Sequence, residues 1–236
     1  SPAATARQSR KGVIAPLMQT LLVKAYGSPK AVWPQLFEIL IRNIGQKHVL
    51  FYFFDDKFQQ AAEGVKVAGR ILPYEGDYFH LNDTNFGGAK SNMFIDQAVT
   101  QEISLNQTGT VTKKVTVTYK NPQPSSNCNL EAGQLCLNGV LRNFVRVYVP
   151  SGSTLVEALG FEDGTVKTSQ DLDKTVFEGF FKMEPQSQAK IIITYKLPST
   201  VTGKTYSLLI QKQPGSKSIP YTLSLNGRTQ EFDLTS

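Results

Sequence analysis

Apolar positions follow two rhythms along this chain, and the change comes at the polar turn Asp83–Asp96. Before it, Val13, Ile14, Leu17, Met18, Leu21 and Leu22 recur at spacings of three and four, placing them on one stripe of a helix. Gly27 follows as a C-cap, and Ser28 and Pro29 supply N-cap and first-turn signals for a second helix. In that helix Val32, Trp33, Leu36, Phe37, Leu40 and Ile44 repeat the stripe, with Trp33 and Phe37 expected in the core. Val49–Phe54 is apolar on both faces, as a central strand covered by helices would be. Asp55 or Asp56 then caps a third helix through Phe58, Ala61 and Ala62.

After the turn the period drops to two. Val111, Val115, Val117 and Tyr119 alternate with Thr and Lys until Asn121-Pro122-Gln123-Pro124 breaks the run. Leu141, Val145, Val147 and Val149 face one way; Arg142, Phe144, Arg146 and Tyr148 face the other. Further strands are predicted near 154–161, 174–183, 188–197, 205–212, 218–225 and 229–234. Asp163-Gly164 reads as a hairpin turn, and Asn226-Gly227 is the strongest hairpin signal. Seven or more short strands at this spacing predict an antiparallel β-sandwich, immunoglobulin-like in the broad sense, with no Cys-Trp-Cys pattern of an antibody domain. The expected fold class is α+β: an N-terminal α/β layer domain over 1–100, then the sandwich over 101–236.

Composition changes this picture little. With 236 residues, 40% of them apolar and 19% charged, the chain is long and apolar enough to bury a real core. Its net charge of +6 is spread along the chain, and only Arg7, Arg10 and Lys11 cluster. A nucleic-acid footprint would concentrate that charge on one face, so no nucleic-acid partner is expected. Cys128 and Cys136 sit in a loop rich in Pro, Ser, Asn and Gly, without zinc spacing or a nearby His. A disulfide stapling this loop is the favoured reading, and two reduced thiols in a cytoplasm the alternative. No run approaches the ~20 residues that span a bilayer. Ser1 is an improbable natural start, so a targeting segment is expected to be missing.

The turn itself invites chemistry. An EF-hand is excluded, because Gly87 falls where an oxygen ligand belongs and Phe94 where a bidentate Glu is needed. Gly88-Ala89-Lys90-Ser91 fails as a phosphate loop, because Ala89 replaces the glycine before the lysine. No metal and no cofactor is therefore expected. Gly87 and Gly88 could expose backbone N–H groups beside Lys90 as a small anion nest, against the plainer reading of a turn capped by its own Asp and Asn. A catalytic triad would need His48 or His80, and paired acids occur at Asp55-Asp56, Asp77-Asp83, Glu162-Asp163 and Asp171-Asp173, but spacing selects none. Catalytic residues thus stay unassigned. The densest polar cluster, and the candidate ligand site, comprises Asp77, His80, Asp83, Asn85, Gly87, Gly88 and Lys90. Tyr52, Tyr74, Tyr78 and Tyr148 are possible sugar-stacking platforms, with core packing as the alternative.

The segment from about Lys47 to Pro150 resembles the bacterial domain of unknown function 4012 family. The resemblance rests on His48-Val49-Leu50-Phe51-Tyr52, Asn85-Phe86-Gly87-Gly88-Ala89-Lys90-Ser91-Asn92, Val117-Thr118-Tyr119-Lys120-Asn121 and Asn143-Phe144-Val145-Arg146-Val147-Tyr148-Val149-Pro150-Ser151-Gly152-Ser153. It implies an extracytoplasmic envelope protein on a bacterial cell surface, anchored by a transmembrane helix upstream of this chain, which would begin inside the family domain. No catalytic residue follows from it. The expected function is a non-enzymatic surface module that binds or supports a cell-envelope component or another surface protein. The alternative is an enzyme or carrier acting on envelope polysaccharide or lipid-linked sugar, with its site near residues 77–90.

Overall fold

The computed structural model describes residues 12–106, 109–129, 131–198 and 206–236. Arg7, Arg10 and Lys11 lie outside them. Three helices open the described chain: α1 (Ile14–Tyr26), α2 (Trp33–Gly45) and α3 (Asp56–Gly64). Asp55 caps α3 as its sequence position predicts, its side chain accepting from the N–H groups of Lys57 and Phe58 at 2.9 and 3.2 Å. Ser28 does not cap α2; its hydroxyl turns back to donate to the Lys24 carbonyl at 2.8 Å.

The apolar stripes of α1 and α2 form as expected but are not covered. Neither helix has a buried residue among those described, and Trp33 and Phe37, expected in the core, are 43% and 63% exposed. Periodicity places side chains on one face; a partner surface must bury them, and the described residues offer none. The strand expected at Val49–Phe54 is also absent. Phe51 N–H donates to the Val67 carbonyl and Phe53 N–H to the Gln59 side chain, so no ladder forms, and Phe54 is 94% exposed.

The remainder is β-rich. Its strands are β1 (Asp77–Asn85), β2 (Asp96–Leu105), β3 (Val111–Asn121), β4 (Leu141–Pro150), β5 (Thr154–Leu159), β6 (Lys167–Asp171), β7 (Lys174–Met183), β8 (Ser187–Lys196), β9 (Leu208–Gln211), β10 (Ile219–Leu225) and β11 (Arg228–Leu234). One sheet has the order β6-β7-β4-β1-β9, the other β11-β10-β2-β3-β8-β5. Both are mixed, because β1 runs parallel to β9 and β10 parallel to β2. The boundary expected at residue 100 falls inside β2, and β1, where no strand was predicted, lies second from the edge of its sheet. The β unit therefore begins near Asp77.

One apolar core fills the space between the sheets. Phe79 and Leu81 of β1, Val145 and Val147 of β4 and Phe177 of β7 meet Val99 of β2, Val115 and Val117 of β3 and Ile191 and Ile193 of β8. The predicted alternation of β4 holds. Its other face carries Arg142 stacked on Phe180 at 4.3 Å and paired with Glu162, and Arg146 paired with Asp171 and Glu178. Asn226 and Gly227 both have positive φ, 47° and 85°, and close the β10–β11 hairpin with Leu225 opposite Arg228. Asp163-Gly164 is a turn but not a hairpin, since it carries the chain from β5 in one sheet to β6 in the other.

Candidate functional site

Strand pleating decides what the cluster read from sequence can do. Successive residues of a strand point to opposite faces, so β1 sends Asp77, Phe79, Leu81 and Asp83 between the sheets and Tyr78 and His80 outward. Asp77 and Asp83 share the inner face but lie six residues apart, roughly 20 Å along the strand. Asp77 is wholly buried against Lys113, far from the turn. His80 packs beside Tyr148, and its Nδ1 lies 2.9 Å from the Gln211 carbonyl oxygen, which requires Nδ1 to carry the proton. Burial lowers its pKa, opposed by that hydrogen bond.

Asn85, Gly87, Gly88 and Lys90 stay together in the turn, but as its internal fastening. Asn85 Oδ1 accepts from Gly87 N–H at 2.7 Å, and Asn85 Nδ2 donates to the Ala89 carbonyl at 3.0 Å. Lys90 N–H is taken by the Leu137 carbonyl at 2.7 Å. Of the anion nest considered, the Gly87 and Gly88 N–H groups beside the Lys90 side chain, the Gly87 N–H is already turned inward to Asn85. Gly87 is needed for another reason: a Cβ there would lie 2.5 Å from the Val140 carbonyl oxygen, so the turn can approach β4 only without a side chain. Buried Ser91 then locks the turn to Gly139, donating at 2.7 Å and accepting at 3.1 Å. Gly139 follows the loop closed by the Cys128–Cys136 disulfide. Tyr78 and Tyr148, considered as stacking platforms, are buried, whereas Tyr52 is 70% exposed.

Of the seven residues, Gly87 and Gly88 border a cavity of about 410 Å³ beside the disulfide loop, and Asp83 lines a larger one. The larger cavity measures about 510 Å³ and opens at one end of the paired sheets, walled by Asn92, Met93 and Ile95, by the 213–217 loop and by Ile219. On its polar floor Asp83 Oδ1 accepts from the Tyr119 hydroxyl at 2.8 Å and from Asn143 Nδ2 at 2.6 Å, and Oδ2 accepts from Gln97 Nε2 at 2.9 Å. Gln213 clamps the Asp83 backbone, accepting from its N–H at 2.8 Å and donating to its carbonyl at 3.0 Å. Burial raises the Asp83 carboxyl above its ordinary value, the three hydrogen bonds pulling the other way. Burial and the neighbouring Asp83 push the Tyr119 hydroxyl well up, so it remains a donor. The result is one carboxyl group held by neutral amides and a phenol, with further amide edges facing the cavity.

Gln97, Tyr119, Asn143 and Gln213 were not among the residues singled out from sequence. A signal existed for one of them: Asn143 shares the phase of Leu141, Val145 and Val147, and a polar residue in a core phase is an anomaly. A third cavity, of about 310 Å³, lies beside α3 and β9. Three of its four cationic side chains are already engaged, Lys47 with the Lys66 carbonyl, Lys212 with the Gln46 carbonyl and Arg70 with Glu63.

No protein-family model matches the chain, and no curated protein matches it in sequence. Among solved structures it is similar to a protein described as nutrient-binding from Legionella pneumophila, at 11% identity and a TM-score of 0.32, over 63% of this chain and 54% of that one. It is also similar to a zinc metallopeptidase from Deinococcus radiodurans bound to a Tyr-Ser-Ala substrate, at 11% identity and a TM-score of 0.30, over 59% of this chain and 39% of that one. The chain thus spans about half or less of the structures it matches. Its own residues carry the functional reading.

Proposed function

We propose that this chain is a non-enzymatic, extracytoplasmic module of a bacterial cell envelope, and that its Asp83 cavity holds a neutral, hydroxyl-rich ligand such as a surface glycan. The observation that carries this reading is the cavity floor of Asp83, Gln97, Tyr119, Asn143 and Gln213. Amide and carboxyl groups fixed by one another offer paired donors and acceptors to vicinal hydroxyls at little ordering cost. The volume lies within the ~300–1,000 Å³ usual for ligand pockets.

The Cys128–Cys136 disulfide favours an oxidising compartment. The resemblance over Lys47–Pro150 favours the envelope, with an anchor upstream as that family has. Among the described residues no helix is long and apolar enough to cross a membrane. The two facing sheets lend themselves to an immunoglobulin-like description in the broad sense, preceded by a region whose regular elements, among the described residues, are helices. The alternative, an enzyme or carrier acting on envelope polysaccharide, draws less support. Of the described residues lining the cavity only Asp83 is acidic, whereas hydrolysis of a glycosidic bond ordinarily uses two carboxyl groups.

Calorimetric titration with a panel of neutral oligosaccharides tests the reading. At least one is expected to bind, and Asn143→Ala with Gln213→Ala is expected to weaken it at least tenfold, about 1.4 kcal/mol. A folded protein that binds none of the panel, or binding that ignores both substitutions, would falsify it.

A further inference from the structure

Lys113 and Asp77 meet where neither charge is at ease. Lys113 Nζ lies 2.6 Å from Asp77 Oδ2, and both side chains are completely shielded from solvent. They join the two sheets, Asp77 at the start of β1 and Lys113 in β3. The rings around Nζ are Phe79 at 5.7 Å and Tyr195 at 5.9 Å. Tyr206 donates its hydroxyl to Asp77 Oδ2. Among the described residues Asp77 Oδ1 and the Tyr195 hydroxyl have no hydrogen-bond partner. An ammonium carries three donors and a carboxylate about four acceptor sites, and this pocket serves few of them. Isolated ions in such surroundings are costly, and neutral forms are favoured.

From this geometry we infer that Lys113 and Asp77 condense into an intramolecular amide, a covalent tie between the two sheets. The balance is simple. A proton passes from Nζ to Oδ2 along their hydrogen bond, giving a neutral amine and a carboxylic acid. The Nζ lone pair attacks Cγ, one C–O bond length from the oxygen it already touches. The Cγ–Oδ2 bond breaks, and Oδ2 leaves as water with two of the three ammonium protons. Oδ1 stays as the amide carbonyl and the third proton as the amide N–H. No oxidant, cofactor or second molecule is consumed.

The surroundings favour each step. Burial lowers the Lys113 pKa against the opposing pull of Asp77, which favours the nucleophilic amine. The Tyr206 hydroxyl, already on Oδ2, assists its departure. Fixed contact replaces a bimolecular encounter, an advantage worth effective molarities of about 10⁵–10⁸ M. The product also suits the pocket better: two charges vanish, and one N–H and one C=O replace a set of groups that the pocket leaves largely unserved.

Intact mass spectrometry of the purified 236-residue chain, unfolded and with its disulfide reduced, tests the inference. The expected mass is one water below that of the open chain. Tryptic digestion is expected to fail after Lys113 and to yield a branched peptide joining the Asp77 and Lys113 segments. Lys113→Arg, which keeps the charge but not the amine, is expected to restore the full mass. Full mass in the unsubstituted protein overturns the inference. So does a water loss that persists in Lys113→Arg, which would place it elsewhere, for instance as a succinimide at Asp163-Gly164. The outcome is independent of whether the Asp83 cavity binds a glycan.

Discussion

Two titratable residues of β1, three positions apart and on opposite faces, pull stability in opposite directions as pH changes. Burial raises the Asp83 carboxyl, so the folded chain holds that proton more tightly than the unfolded one. Its contribution to stability is full below the unfolded value and is lost as pH rises through the raised folded value. Burial lowers the His80 imidazole, so its contribution is full above the ordinary histidine value of about 6.5 and is lost as pH falls through the lowered one. Urea unfolding followed from acid to neutral pH is therefore expected to respond separately to two variants. Asp83→Asn should abolish the loss on leaving the acid range, and His80→Phe the loss on entering it. Unchanged pH profiles in both would show that neither group is linked to folding. Sequence reading found these two residues as part of one cluster, but could not tell that a single pleat sends them to different faces. Only the pairing of β1 with β4, His80 opposite Tyr148 and Asp83 opposite Val145, fixes which face is inside.

At the scale of elements, periodicity proved a sound guide to type and a poor guide to burial. The helices over Ile14–Tyr26 and Trp33–Gly45, the strands of the second half and the Asn226-Gly227 hairpin follow from local pattern and turn chemistry. Two strands did not. β1 is polar at Asp77, His80, Asn82 and Asp83, and β6 (Lys167–Asp171) carries no apolar residue, so neither shows the alternation by which a half-buried strand is recognised. Val49–Phe54 has the composition of a buried strand but finds no edge to pair with among the described residues. The uncovered stripe of α1 has a measurable consequence. Leu17→Glu with Leu21→Glu is expected to change global stability by no more than about 0.5 kcal/mol, as surface substitutions do. Binding of an apolar dye should fall. A large drop in unfolding temperature would mean instead that the stripe is covered in solution.

For the molecule as a whole, the turn at Asp83–Asp96 matters as a joint. It leaves β1 in one sheet and enters β2 in the other, and Phe86, Lys90 and Ser91 fasten it to the strand and loop on either side of Gly139. The disulfide closes the neighbouring loop. Cys128→Ser with Cys136→Ser should lower stability by about 2 kcal/mol on the chain-entropy account, roughly 4–8 °C in Tm, with the far-ultraviolet spectrum unchanged. An unaltered melting temperature would mean that the loop is held without it. By itself the sequence determined the local conformations, the loop that carries the disulfide and the β-rich character of the second half, because these depend on near neighbours and on periods of two and 3.6. Tertiary structure decided which polar residues were interior. Lys113 stands in phase with Val111 and Val115, and Asn143 with Leu141 and Val145, yet their partners Asp77 and Asp83 lie 36 and 60 residues away. Such pairs are set by how two sheets face each other, and no local spacing encodes that.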